Sequence, residues 1–213
     1  MKKQQLKINR NFLDSVAKNR FAQISKQAEL WDDIYDKVKD KLEPRCQYVI
    51  FDDIKIEGNI LHIGDQQIEG NYFSTIPKEI IGQAAMYVLT IGDIADENES
   101  VLNSTLIDMI GTAYIDAMRD LLRMEFQEED YLVSGSVAPG LEGMALSEIS
   151  KFDAVLDFAS LAINLNDSFV MVPEKSAAGL YFFFNEEHPV STNSCATCMA
   201  RGHGCNFCSV KGE

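Results

Sequence analysis

The sequence has no long apolar run and few basic residues, and each shortage argues against a class of partner. No stretch approaches the roughly 20 apolar residues of a membrane-spanning helix. The 213 residues include 19 Lys and Arg against 33 Asp and Glu, which gives a net charge of −14. This acidic balance argues against nucleic acid as a partner, because its recognition depends on clustered basic residues. It argues equally against an anionic membrane surface.

The sequence also lacks the signatures of several enzyme classes and of secretion. It contains no G-x-G-x-x-G, no P-loop and no H-E-x-x-H. Its three histidines, His62, His188 and His203, stand in no recognisable catalytic setting, so a hydrolytic triad cannot be argued. The N-terminus is basic but has no apolar segment and no small-residue cleavage site. We therefore expect a cytoplasmic protein.

What the sequence does contain is enough apolar material for one domain, at 46% hydrophobic residues. Helical periodicity covers residues 21–42 and 100–126. Strand patterns cover 47–63, with a hairpin turn at Gly58–Asn59, and 86–92. This irregular interleaving predicts an α+β fold with a mainly antiparallel sheet and flanking helices.

The remaining segments are predicted from turn and capping signals. A short helix is expected after Pro77, over residues 77–87, and another from a cap at Ser147. Residues 167–184 indicate two strands separated by Pro173.

Four of the five cysteines lie near the C-terminus in a C-x2-C-x6-C-x2-C spacing. They are Cys195, Cys198, Cys205 and Cys208. Four thiolates within reach of one centre favour a metal site over disulfides in a reducing compartment. The spacing suits Zn²⁺ and an iron–sulfur cluster alike, and it is equally compatible with a zinc knuckle that only anchors the tail. Cys46 stands alone and is interpreted as a small buried apolar residue.

Two loops are weaker candidates for ligand contact. The glycines and proline of residues 134–143 allow close backbone approach to a ligand, but a tight connection needs the same residues. Lys175 and Ser176 either face a ligand or complete a turn.

Several segments in a fixed order resemble one family. They are L-T-I-G (89–92), G-T-A-Y-I-D-A (111–117), A-P-G (138–140) and N-D-S-F-V-M-V-P-E-K-S-A-A-G-L-Y-F (166–182). Together they are similar to the activation, S-adenosylmethionine-binding, domain of cobalamin-dependent methionine synthase. The resemblance covers about half of the chain strongly. No homocysteine, folate or cobalamin module accompanies it, so the chain looks like a stand-alone relative.

The resemblance implies a fold, a role and a set of site residues. The fold is a single C-shaped α+β domain around a bent antiparallel sheet. The role is to bind S-adenosylmethionine and to dock on a corrinoid protein or cobalamin-binding domain, whose inactive cobalamin is then reduced and remethylated with the help of an electron donor. The cofactor-binding positions that it implies here are Asp116, Ser136, Ala138, Gly140, Leu141 and Tyr181.

The ligand loop departs from the family pattern at two positions. The family has Arg-x-x-x-Gly-Tyr, and this chain has Ser136 and Leu141 in place of the Arg and the Tyr, while Gly140 is kept. Ser136 cannot make the bidentate charged contact that an Arg offers the methionine carboxylate. The sequence therefore predicts weak or absent binding of S-adenosylmethionine.

Three functional hypotheses follow from these observations. The first is an accessory protein of a corrinoid-dependent methyltransferase system, with residues 1–185 as the activation-like domain and 186–213 as a metal-binding tail. The second is a non-catalytic binding module that recognises a corrinoid protein or a small ligand and carries a structural zinc knuckle. The third, a self-contained methyltransferase, is disfavoured because the loop motif is eroded. Whether the chain is an enzyme is left open.

Overall fold

The computed structural model describes residues 3–76, 81–95, 99–128, 132–141 and 143–184. Four helices lie within them: α1 Arg10–Ser25, α2 Trp31–Val38, α3 Val101–Glu128 and α4 Ile149–Leu156. The strands are β1 Gln4–Gln5, β2 Arg45–Phe51, β3 Ile54–Glu57, β4 Ile60–Ile63, β5 Gln66–Glu69, β6 Ile81–Thr90, β7 Leu132–Val133, β8 Asn164–Leu165, β9 Met171–Val172 and β10 Ser176–Phe184. The four-cysteine tail lies outside the described residues.

A five-stranded antiparallel sheet forms the centre of the fold, in the order β1-β2-β6-β10-β7. A three-stranded antiparallel meander, β3-β4-β5, and the small β8-β9 pair complete the strands. The predicted α+β class, with a mainly antiparallel sheet and flanking helices, is confirmed. The hairpin turn at Gly58–Asn59 is confirmed too, since Glu57 pairs with Ile60 and Gly58 has φ +62°.

The central sheet is buried on both faces, which divides the core into two layers. Along β6, Ala85, Tyr87 and Leu89 contribute to the layer that contains α1, α2 and α3. The alternate residues Met86 and Val88 contribute to the layer with α4 and the meander. This two-residue alternation is the ordinary consequence of strand geometry. It places α3 directly over β6 and β10.

Two of the predicted helices are wrong in their extent or type. The helix expected over 21–42 is two helices, because Lys26 adopts a left-handed conformation at φ 59° and ends α1. The helix expected over 77–87 is a strand from Ile81 onward, and residues 77–80 lie outside the described residues. β6 is paired on both sides, by β2 and by β10, and this pairing overrides the local helical pattern.

Several other predictions hold, and one cap does not. The long helix expected over 100–126 is α3, and the two strands on either side of Pro173 are β9 and β10. Ser147 caps no helix, because α4 begins at Ile149 after a short 3-10 turn without a side-chain cap. Cys46 is buried, as interpreted, and burial raises the pKa of its thiol.

Candidate functional site

A cleft of about 350 Å³ opens between α3, β10 and the loop that follows β7. We name it the arginine cleft, because three arginines contribute to its wall. Its lining residues are Arg20 of α1, Asp116, Arg119, Asp120 and Arg123 of α3, Ser134, Gly135, Ser136, Ala138 and Leu141 of the loop, and Tyr181 of β10.

Five of the six positions implied by the family resemblance line this cleft: Asp116, Ser136, Ala138, Leu141 and Tyr181. Gly140 lies in the same loop with φ +85°, and its amide donates to the Met144 carbonyl at 2.9 Å. Its backbone therefore turns the loop and does not line the cleft. The metal positions Cys195 to Cys208 fall outside the described residues.

Hydrogen bonds to β10 hold the loop in place. The Ser134 amide donates to the Phe182 carbonyl at 2.9 Å, and Val137 exchanges two backbone hydrogen bonds with Leu180 at 2.9 and 2.7 Å. Gly179 allows this close approach, because a Cβ there would lie 2.8 Å from the Val137 carbonyl oxygen. The loop thus adds to the sheet edge through its backbone.

The hydroxyl of Ser136 is not free to reach across the cleft. It lies 2.6 Å from the hydroxyl of Tyr87, within hydrogen-bond distance. Tyr87 stacks on Tyr181 with ring centroids 5.2 Å apart, and the edge of Phe126 packs on Tyr181 at 5.9 Å. Burial raises the pKa of the Tyr181 phenol well above its ordinary value. Tyr181, which lines the cleft, therefore packs against the buried rings of Tyr87 and Phe126.

One face of α3 supplies four charged residues to the cleft. Asp116, Arg119, Asp120 and Arg123 are spaced three and four residues apart, which places them together on a helix. Arg119 bonds to Asp116 at 3.3 Å, and Arg20 of α1 bonds to Asp120 at 3.1 Å. Sequence reasoning missed the arginines because it sought the cation only in the loop. The spacing on α3 was a readable signal, whereas Arg20 comes from another helix and needs the tertiary fold.

The pKa values of Asp116 and Arg119 are both raised, but for different reasons. Burial raises the pKa of Asp116, and the nearby Arg119 and Arg20 oppose that effect. Burial acts to lower the pKa of Arg119, but Tyr87 and Asp116 outweigh it and the pKa lies above the ordinary value. Arg119 is therefore a permanent cation, while the charge on Asp116 is only partly stabilised.

A second cleft, of about 420 Å³, lies at the other end of α3 and includes Asp108, Pro173 and Lys175. Lys175 is bound to Asp108 at 2.6 Å and to Thr112 at 3.2 Å. The hydroxyl of Ser176 lies 2.7 Å from the Pro173 carbonyl. Ser176 therefore completes the turn after Pro173, whereas Lys175 is held against α3 and lines the cleft.

Neither a metal site nor a membrane span is found in the described part of the chain. No group of three or more metal-ligating side chains occurs among those residues. None of the described helices is both long and apolar enough to cross a bilayer.

Comparisons with known proteins add one structural relationship. No protein-family model matches the chain, and no curated protein matches it. Among solved structures, it is similar to the crystal structure of the MetH reactivation domain bound to AdoHcy, with a TM-score of 0.62 and 15% sequence identity. The match covers 89% of this chain and 81% of the MetH chain. The chain therefore shares the fold of the MetH reactivation domain.

Proposed function

We propose that this chain is an accessory protein of a corrinoid-dependent methyltransferase system and acts in the reductive activation or handling of the cobalamin cofactor. The observation that carries the proposal is the fold shared with the MetH reactivation domain over 89% of this chain. That neighbour was crystallised with AdoHcy. The arginine cleft supports the proposal, because it gathers Asp116, Ser136, Ala138, Leu141 and Tyr181 from three separate elements.

The arginine cleft is proposed as the site of an S-adenosyl ligand. Ala138, Leu141 and Tyr181 supply apolar groups to its lining, while the arginines and aspartates offer polar contacts. Five of the eleven lining residues are charged, so the cleft suits a ligand that itself carries charged groups. Weak binding of S-adenosylmethionine was predicted because the loop has Ser136 where the family has an Arg. Arg119 and Arg123 of α3 line the same cleft and bring guanidinium groups to it from outside the loop.

Partner binding is tested with the corrinoid proteins encoded in the same genome, loaded with cob(II)alamin. We expect the full-length chain to form a complex in sedimentation velocity and to change the visible spectrum of the bound cobalamin. The same corrinoid proteins without cobalamin, and serum albumin, are the controls. If no corrinoid protein forms a complex at tens of micromolar, the accessory role is wrong.

The four cysteines of residues 186–213 are proposed to bind one metal centre. This proposal rests on the C-x2-C-x6-C-x2-C spacing alone. An iron–sulfur cluster there would give the accessory role an electron conduit, whereas zinc would favour a binding module with a structural tail. Iron, sulfide and zinc analysis of anaerobically purified protein separates the two.

A further inference from the structure

The arginine cleft has the opposite sign of charge from the molecule as a whole. Three arginines and two aspartates line it, which leaves one net positive charge at full ionisation. The chain carries −14. A local excess of positive charge in an acidic protein focuses the potential on the cleft and favours an anionic group there.

The three arginines of the cleft differ in the ion pairs that they form with other described residues. Arg20 is bound to Asp120 at 3.1 Å, and Arg119 reaches Asp116 at 3.3 Å. Arg123 forms no ion pair with any residue in the described ranges. It is therefore the guanidinium with the most capacity left for a ligand.

Arg119 and Arg123 also have donors without partners. The Nε atom of each is buried and makes no hydrogen bond within the described residues. A buried donor left unsatisfied costs free energy, so the described protein groups do not fully satisfy either guanidinium. Both side chains are lining residues of the same cleft.

The geometry points to Arg123, together with Arg119, as the site that binds the carboxylate of an amino-acid-type ligand in the arginine cleft. The two residues are one helical turn apart on α3, so both lie on the face of the helix that lines the cleft. A guanidinium offers two parallel donors that match the two oxygens of a carboxylate. α3 then supplies the charged contact that Ser136 cannot make. The inference rests on the proposed ligand role of this cleft.

The test compares two ligands that differ only in the carboxylate. Calorimetry on the full-length chain measures S-adenosylmethionine against decarboxylated S-adenosylmethionine. We expect the first to bind about tenfold or more tightly, as befits a charge-assisted pair of hydrogen bonds. Arg123→Gln is expected to reduce that ratio to near one, and Arg123→Lys to keep part of it, because the charge remains while the fork is lost.

Arg45→Gln is the matched control. Arg45 also has a buried Nε without a partner, but it lies on β2 and does not line the cleft. Its variant should keep the wild-type ratio. Thermal melting of each variant shows whether a change in binding comes from loss of the fold. The ratio of the two ligand affinities in the wild-type chain tests the carboxylate site without any variant.

Three results would overturn the inference. Equal binding of the two ligands by the wild-type chain shows that no carboxylate site exists, while the ligand role of the cleft stands. An unchanged ratio in Arg123→Gln shows that the carboxylate lies elsewhere. Failure of both ligands to bind at millimolar concentration rejects the ligand role of the cleft as well, and leaves complex formation with a corrinoid protein to be judged by its own experiment.

Discussion

Gly179 lets the cleft loop lie close against β10. A Cβ there would lie 2.8 Å from the Val137 carbonyl oxygen and 2.9 Å from the hydroxyl oxygens of Ser136 and Tyr87. We expect Gly179→Ala to lower the free energy of unfolding by about 1–3 kcal/mol, as overpacking does. Urea denaturation measures it.

The control for this change is Gly111→Ala on α3. The three atoms nearest to a Cβ at Gly111 belong to the Lys175 side chain, at 2.9 Å, and not to the backbone, and alanine is favoured over glycine inside a helix. Gly111→Ala should therefore cost less stability than Gly179→Ala. If both variants lose the same stability, backbone approach at Gly179 is not the cause.

The raised pKa of Asp116 predicts a pH dependence of stability. Its carboxyl binds protons more tightly in the folded than in the unfolded state, because burial disfavours the charged form. Its contribution to the free energy of unfolding is therefore greatest at low pH and is lost as pH rises above the ordinary carboxyl value of about 4. Asp116→Asn should flatten the stability profile there. A profile unchanged by Asp116→Asn contradicts this.

At the level of single residues, motif order named positions that the fold places in one cleft, but it did not predict their contacts. Motif order located Asp116, Ser136 and Tyr181, which the fold then brings to one cleft. It did not reveal that the Ser136 hydroxyl is engaged by Tyr87, 49 positions away in the chain, or that Arg20 faces Asp120. Such contacts depend on how distant elements pack, and no local pattern encodes them.

Among the helices, α1 offers a direct test of capping. Asn9 accepts a hydrogen bond from the Phe12 amide at 3.1 Å, and α1 carries Arg20 to the cleft. Asn9→Ala should lower the free energy of unfolding by about 1 kcal/mol. Ser147→Ala is the control, because Ser147 caps no helix. An equal loss in both variants, measured by denaturation, would contradict the assignment of the caps.

The end of α1 and the strand β6 show where the apolar sequence pattern failed to predict the secondary structure. The apolar period over 21–42 continues across Lys26, but the Ser25 hydroxyl bonds to the Phe21 carbonyl and accepts from the Gln27 amide. Those local side-chain bonds compete with the helix and end it. β6 differs because its strand character comes from pairing with two neighbours. The hairpin turn was predictable because Gly58 encodes it locally.

For the whole molecule, the tail is expected to be an appendage of the domain. Its spacing predicts one metal per chain, bound by Cys195, Cys198, Cys205 and Cys208. Cys198→Ser should abolish stoichiometric metal while the midpoint of thermal unfolding of the domain stays within a few degrees. Cys46→Ser is the control for metal content, because Cys46 lies buried in the domain core. Protein without zinc or iron, or loss of the whole domain fold with the metal, would contradict the prediction.

The accessory role in corrinoid reactivation is tested most directly by remethylation. A corrinoid protein from the same genome is held as cob(II)alamin without oxygen and supplied with Ti(III) citrate and S-adenosylmethionine. The appearance of methylcob(III)alamin is followed by its visible absorption, with and without the full-length chain. We predict that the chain increases the initial rate at least several-fold and that Arg123→Gln reduces this effect. Equal rates with and without the chain would contradict the account.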